Sequence, residues 1–224
     1  MSYYRDLKDI SIEQYKQILR SADMIPSWMV LKENIDECME AIKDCDIQNL
    51  DELKTAVKNK DKVQEFAQQS GLSIDYLSVL RRVVNGYHPK PNRIKDFPNI
   101  SEETVAKLQE LGYKNTLQLY DAILTKEKRK KLSLETGISI GEIRQLGSMT
   151  DLSRIRWVNH TFAYVLKEAG YDSAESVASA DYQEMYETII KLNREREIYK
   201  GNIGAHDMKL CVEAAQGLDF EIEF

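Results

Sequence analysis

The run KEKRKK, residues 126–131, gathers five cationic side chains in six positions. Lysine and arginine in such density neutralise phosphates and release their counterions, which is the basis of nucleic-acid affinity. Lys126, Lys128, Arg129, Lys130 and Lys131 are therefore the candidate contacts for a polyanion. Lys60 and Lys62 stand 66 residues before Lys126 and Lys128, so stacked units would carry a shared stripe. Asp61, Glu65, Glu127 and Glu135 interleave with these lysines. Opposite charges within about 10 Å offset one another at ordinary salt, so the same run also describes a solvated helix face.

Other chemistries find less material. His88, His160 and His206 are scattered and form no H-x-x-x-H pair, so a zinc site would have to collect ligands from distant segments. His206 and Asp207 are adjacent, and adjacent residues on a helix point apart. Cys38, Cys45 and Cys211 show no C-x-x-C spacing, and Cys38 and Cys45, seven apart and so on one helical face, read as small buried hydrophobes. No nucleophile elbow, phosphate loop or dinucleotide fingerprint occurs. Carboxylates number 37, too many for spacing to single out a general acid. No catalytic, metal-binding or cofactor-binding residue is expected, and an enzyme is not the expected class.

The elements that must position these residues are helical. The chain has 224 residues, 42% apolar and 30% charged, with ten glycines and four prolines. That is the composition of a globular protein with little irregular structure. A net charge of −6 and a pI near 5.3 set the overall field against a nucleic acid. No apolar run reaches the length of a membrane span, and MSYYRDLKDI lacks the apolar region of a signal peptide, so a cytoplasmic location is expected. Val105, Leu108 and Leu111, then Leu117, Tyr120, Ile123 and Leu124, recur at helical spacing. Ser11 with Gln14 and Ser139 with Glu142 fit the capping box. Gly112 and Gly170 stand where helices should stop. Alternation of the strand kind occurs only in the tail LDFEIEF, which places Leu218, Phe220, Ile222 and Phe224 on one side. This tail is expected to pack on the body or to pair between chains.

The chain also repeats itself. SGLSIDYLSVL (70–80) is answered by TGISIGEIRQL (136–146), and residues 45–80 lie over 111–146 without a gap. Asn49/Asn115, Leu53/Leu119, Ala56/Ala122, Lys60/Lys126, Lys62/Lys128, Gly71/Gly137, Ser73/Ser139, Ile74/Ile140 and Leu80/Leu146 are identical. Such self-similarity predicts a duplicated helical unit. A looser third copy begins where LKEAGYDS (166–173) answers LQELGYKN (108–115). GYHPKPNR (86–93) cannot continue a helix. It predicts a division into an N-terminal helical domain, 1–86, holding a divergent first copy, and a C-terminal one, 92–224, holding the second and third.

FPNISEETVAKLQELG (97–112) resembles the helix-hairpin-helix motif. Phe97, Pro98 and Ile100 fall on its apolar and proline places, and Val105 and Leu108 on its packing helix. Ile155, Val158, Ala163 and Leu166 match in IRWVNHTFAYVLKEAG. The whole is similar to a family of such repeats, domain of unknown function 4332. The resemblance implies an all-α fold of tandem helix-hairpin-helix-like repeats, about three copies in two helical bodies. Helix-hairpin-helix proteins that bind DNA hold phosphate oxygens with hairpin N–H groups that two glycines leave accessible. Here those places hold Asn99 and Ser101, and Trp157 and Asn159. The Trp157 hairpin is expected to be closed to DNA, leaving Asn99 and Ser101 as the candidate hairpin contacts.

The function expected from all this is a non-enzymatic helical repeat module that binds another macromolecule, foremost a protein, as a scaffold. The alternative is a nucleic-acid binder using the Lys/Arg patch and the Asn99 hairpin, disfavoured by the acidic pI and the missing glycines. A third is an enzyme with a site at the 86–93 junction. No cofactor and no membrane are implied. Trp157 is expected to pack between copies.

Overall fold

The computed structural model describes residues 2–224, which contain helices and no strand. Two compact bodies divide at Tyr87/His88: one holds Ser2 and Tyr4–Tyr87, the other Tyr3 and His88–Phe224. The first contains α1 (Ile12–Ser21), a 3-10 turn (Pro26–Lys32), α2 (Ile35–Lys43), α3 (Leu50–Ala56), α4 (Lys60–Ser70) and α5 (Ile74–Asn85). In the second, a 3-10 turn (Ile94–Asp96) leads into α6 (Glu102–Glu110), α7 (Thr116–Ile123), α8 (Lys126–Thr136) and α9 (Ile140–Leu152). It continues with α10 (His160–Glu168), α11 (Ala174–Ala178), α12 (Tyr182–Arg196) and α13 (Ala205–Gln216). No helix is long and apolar enough to cross a membrane.

The same local devices recur at the 66-residue interval. Asn49 and Asn115 cap α3 and α7 through their side chains. Asn59 and Thr125 do so for α4 and α8, and Ser73 and Ser139 for α5 and α9. Each short polar side chain accepts a bond from an N–H that the helix cannot satisfy itself. Gly71 and Gly137 end α4 and α8 at φ 72° and 67°, a left-handed backbone that costs glycine nothing. In the later segment Ser173 and Asp181 cap α11 and α12. Glu197 takes the left-handed end of α12 at φ 48°.

Each short helix is also pinned by its first N–H. Leu50 donates to the carbonyl of Ile10 (2.9 Å) and Thr116 to that of Asn92 (2.9 Å). Reciprocal bonds run from Ile12 to Gln48 and from Ile94 to Lys114. At α11 the acceptor is a side chain instead: Ala174 N–H donates to Asp151 Oδ2 (2.8 Å).

The matched apolar positions are the core. Leu53 and Leu119, Val57 and Ile123, Phe66 and Leu132, Leu77 and Ile143, and Leu80 and Leu146 are all buried. In the second body α7, α8 and α9 pack on one another, α9 carries α10, and α13 packs on α11 and α12.

Several expectations need correction. Leu111 and Leu117 are exposed, because α6 stops at Glu110 and α7 buries Thr116, Leu119, Tyr120 and Ile123 instead. At α1 the capping box closes in both directions between Ser11 and Gln14 (2.8 and 3.2 Å). At α9 Ser139 accepts from Glu142 N–H, and no box is formed. The tail packs on the body, as expected, through Leu218 and Ile222, but Phe220 is exposed, so its four apolar residues do not share one buried side.

Candidate interaction surfaces

Two segments of the second body that resemble the motif's hairpin in sequence, the turns leading into α6 and α10, adopt the same unusual backbone. Asn99 lies at φ 60° and Trp157 at φ 68°, each two residues before a helix cap. Phe97, Ile155 and Val158 are buried beneath them. Left-handed backbone costs a non-glycine residue about 1–2 kcal/mol, and for a residue as bulky as Trp it is rare.

At the first hairpin Ser101 Oγ accepts from Thr104 N–H (3.1 Å), and Asn99 Nδ2 donates to the Tyr164 hydroxyl. The first turn of α6 carries Glu102 and Glu103. Glu103 sits 2.7 Å from Lys107, a bond that lowers its carboxyl below the ordinary range. Two carboxylates at a helix start suit the positive end of the dipole and repel a phosphate that would use it. Asn99 and Ser101 thus lie together at the hairpin, but both side chains are engaged.

At the second hairpin Asn159 Oδ1 accepts from Phe162 N–H (2.9 Å). Trp157 is 47% exposed, so it does not serve as core packing between copies. The reason is geometric: a left-handed residue turns its side chain out of the hairpin while its neighbours Ile155 and Val158 turn in. The Arg156 guanidinium lies 4.4 Å from the indole centroid, a cation–π contact. Beside the indole opens a cleft of about 400 Å³, lined also by Pro89, Lys90, Pro91, Arg93 and Asp96.

The basic run divides. Lys126, Lys128, Lys130 and Lys131 are exposed on α8, with Lys131 3.8 Å from Glu135. Arg129 is 3% exposed and cannot reach an external polyanion. Its Nη1 donates to the Ile123 carbonyl (2.6 Å), its Nη2 to the Glu223 carbonyl, and its guanidinium lies against the Phe224 ring. Burial lowers its pKa. In the first body Lys62 pairs with Glu65 at 2.6 Å.

A buried charged cluster escaped the sequence reading. Arg154 Nη1 and Asp151 Oδ1 are 2.7 Å apart, with both side chains enclosed. Arg154 Nε donates to the Tyr3 carbonyl (3.0 Å), its Nη2 to the Asp219 carbonyl (2.9 Å), and its guanidinium stacks on Tyr120. The Tyr3 hydroxyl bonds to Thr116 Oγ1 (2.8 Å). Burial raises the Tyr120 hydroxyl, which donates to Glu221 Oε2 at 3.0 Å. Asp-x-x-Arg at helical spacing was the available signal, but the same pattern marks countless surface pairs.

Two other residues weighed in the sequence, Asp207 and His160, serve local structure. Asp207 Oδ2 accepts from Gly204 N–H (2.9 Å) at the start of α13, and His160 packs edge-on against Phe97. Among the described residues no three His, Cys, Asp or Glu side chains are grouped to hold a metal. Burial pushes the Cys211 thiol up to about 12 and raises Cys38 and Cys45 as well, but Cys45 alone is half-buried rather than enclosed. Labelling with a thiol reagent at mildly alkaline pH should therefore modify Cys45 first, with Cys38 and Cys211 reacting only at the rate of opening. Equal rates at all three would contradict the burial.

A protein-family model described as Domain of unknown function (DUF4332) matches residues 98–218, from the first hairpin to the start of the tail. No curated protein and no solved structure matches the chain.

Proposed function

We propose, for this chain, which belongs to the family described as Domain of unknown function (DUF4332), a non-enzymatic role as a cytoplasmic protein-binding module. On this reading it is built from three copies of one four-helix unit: α2–α5, α6–α9 and α10–α13. Each copy has a nine-residue helix first, as α2, α6 and α10 do. Hairpins of the helix-hairpin-helix kind have become packing corners and display points.

The observation that carries the proposal is Trp157, held half-exposed in left-handed backbone with Arg156 against its ring. Strain of that kind persists where it is useful, and here it adds little to the core. Trp and Arg are the side chains that dominate the energetics of protein interfaces, and the adjoining cleft gives a partner's side chain somewhere to sit. A nucleic-acid role is less well supported: Glu102 and Glu103 guard one hairpin start, the indole occupies the other, and Arg129 is inside.

Capture from the source cells followed by reconstitution with the purified partner tests this. Calorimetry should give a complex of fixed stoichiometry that Trp157→Ala weakens at least about tenfold, roughly 1.4 kcal/mol, while Lys126→Glu with Lys128→Glu leaves it unchanged. Recovery of nucleic acid alone, with affinity falling steeply with salt and lost in the lysine variant, would instead establish the polyanion role and end this proposal.

A further inference from the structure

The α3–α4 turn and its 66-residue counterpart, the α7–α8 turn, each present a carbonyl oxygen, and the two are satisfied differently. At Lys58 the donor is Arg81 of α5, whose Nε lies 3.3 Å from the oxygen. The counterparts of Lys58 and Arg81 are Leu124 and Gly147, and glycine has no side chain to offer. The Leu124 carbonyl is bonded instead by the main-chain N–H of Glu223, from the tail, at 2.9 Å. Phe224 lies over Gly147: a Cβ there would stand 3.9 Å from its ring and 3.7 Å from Arg129. Arg129 replaces Val63 of the earlier unit and donates to the Glu223 carbonyl.

Both main-chain groups of Glu223 are thus held by the body. Main-chain bonds for affinity, with pockets for alternate side chains, are how grooves read extended peptides. The acidic positions are read as well: Tyr120 donates to Glu221 Oε2, and Lys126 N–H to Glu223 Oε2 at 3.4 Å. A unit does not need a tail to be complete, because the first body fills the equivalent place with its own Arg81. The second body has a notch and a buried cation there, both matched to an added segment.

We propose that the groove between the end of α7, α8 and α9 is a docking site for a partner protein's extended segment. That segment alternates acidic and apolar residues and puts an aromatic ring over Gly147. The tail 218–224 holds the groove in cis, and the partner segment takes it by displacing the tail. This site is separate from the Trp157 surface and does not depend on it.

Fluorescence anisotropy with a labelled GLDFEIEF peptide, the sequence of residues 217–224, tests the groove on the 224-residue chain. The Phe224→Ala chain, whose own tail competes poorly, should bind the probe at least about tenfold more tightly than the unaltered chain. Gly147→Arg, which fills the notch and supplies the first body's donor, should bind none. Hydrogen exchange needs no variant: excess peptide should speed exchange of the Glu223 amide in the unaltered chain, and a scrambled peptide should not. Failure of the probe to bind Phe224→Ala, equal binding by Gly147→Arg, equal binding of the scrambled peptide, or an unchanged Glu223 amide would each overturn the proposal.

Discussion

Replacing Arg154 with alanine should cost about 3–5 kcal/mol of folding free energy, read from urea denaturation midpoints. The side chain is enclosed and donates to one carboxylate and two carbonyl oxygens, those of Tyr3 and Asp219. Removing it leaves the Asp151 carboxyl buried without its counter-charge and two acceptors without their donor. The double replacement Arg154→Met with Asp151→Leu should recover much of the loss, because a well-packed apolar pair escapes the desolvation cost. Recovery will be incomplete, since Asp151 also accepts from Ala174 N–H.

The same site gives a pH dependence. Burial holds the Asp151 carboxyl above the ordinary carboxylate range, with the Arg154 charge opposing. Between the ordinary value, about 4, and the raised one, the folded chain therefore binds more protons than the unfolded chain. Stability contributed by this group falls as pH rises through that window and is level above it. Loss of Arg154 should widen the window upward, and Asp151→Asn should remove the slope. A slope unchanged by Asp151→Asn would refute the assignment.

Charge reversal at Arg129 should be nearly as damaging, whereas reversal at its neighbours should be silent. Arg129→Glu sets a buried carboxylate against the carbonyl oxygens of Ile123 and Glu223, both of which now receive hydrogen bonds from the guanidinium. A loss of about 3–5 kcal/mol is expected for an uncompensated buried charge, accompanied by faster hydrogen exchange at the Glu223 amide as the tail loosens. Lys126→Glu and Lys128→Glu lie on the exposed face of the same helix and should leave the thermal midpoint in place. Equal effects at all three positions would mean that Arg129 is not enclosed.

This contrast shows where sequence reading succeeds and where it stops. Helix ends were readable because a cap acts within three or four residues: Ser11 and Ser139 cap α1 and α9 with their side chains, and Gly112 and Gly170 take left-handed backbone just past α6 and α10. The matched apolar positions were readable for a similar reason, as two copies of a pattern expose the buried face. Arg129 was hidden by its four lysine neighbours. Only its spacing from the buried Leu132, three residues on, hinted that it faces inward. Arg154 and Asp151 could not be told from a surface pair because the carbonyls that accept from Arg154, those of Tyr3 and Asp219, are 151 and 65 residues away. The tail was legible as a segment that packs on the body, but alternation did not show that Phe220 faces out while Leu218 and Ile222 pack. Trp157 read as an anchor of the core because large aromatics usually are; its backbone conformation, invisible in sequence, sends it outward.

The way the short helices are pinned bears on mutational tolerance. At Leu50 and Thr116 the acceptor is a peptide oxygen, which every amino acid carries, so substitutions at Ile10 or Asn92 leave the bond available. At Ala174 the acceptor is the Asp151 carboxylate, which a single codon change can delete. The last segment of the molecule is therefore its genetically fragile joint: a saturation scan should find position 151 intolerant of nearly every replacement, whereas position 10, buried in the first body's core, should accept other apolar residues and position 92 most residues.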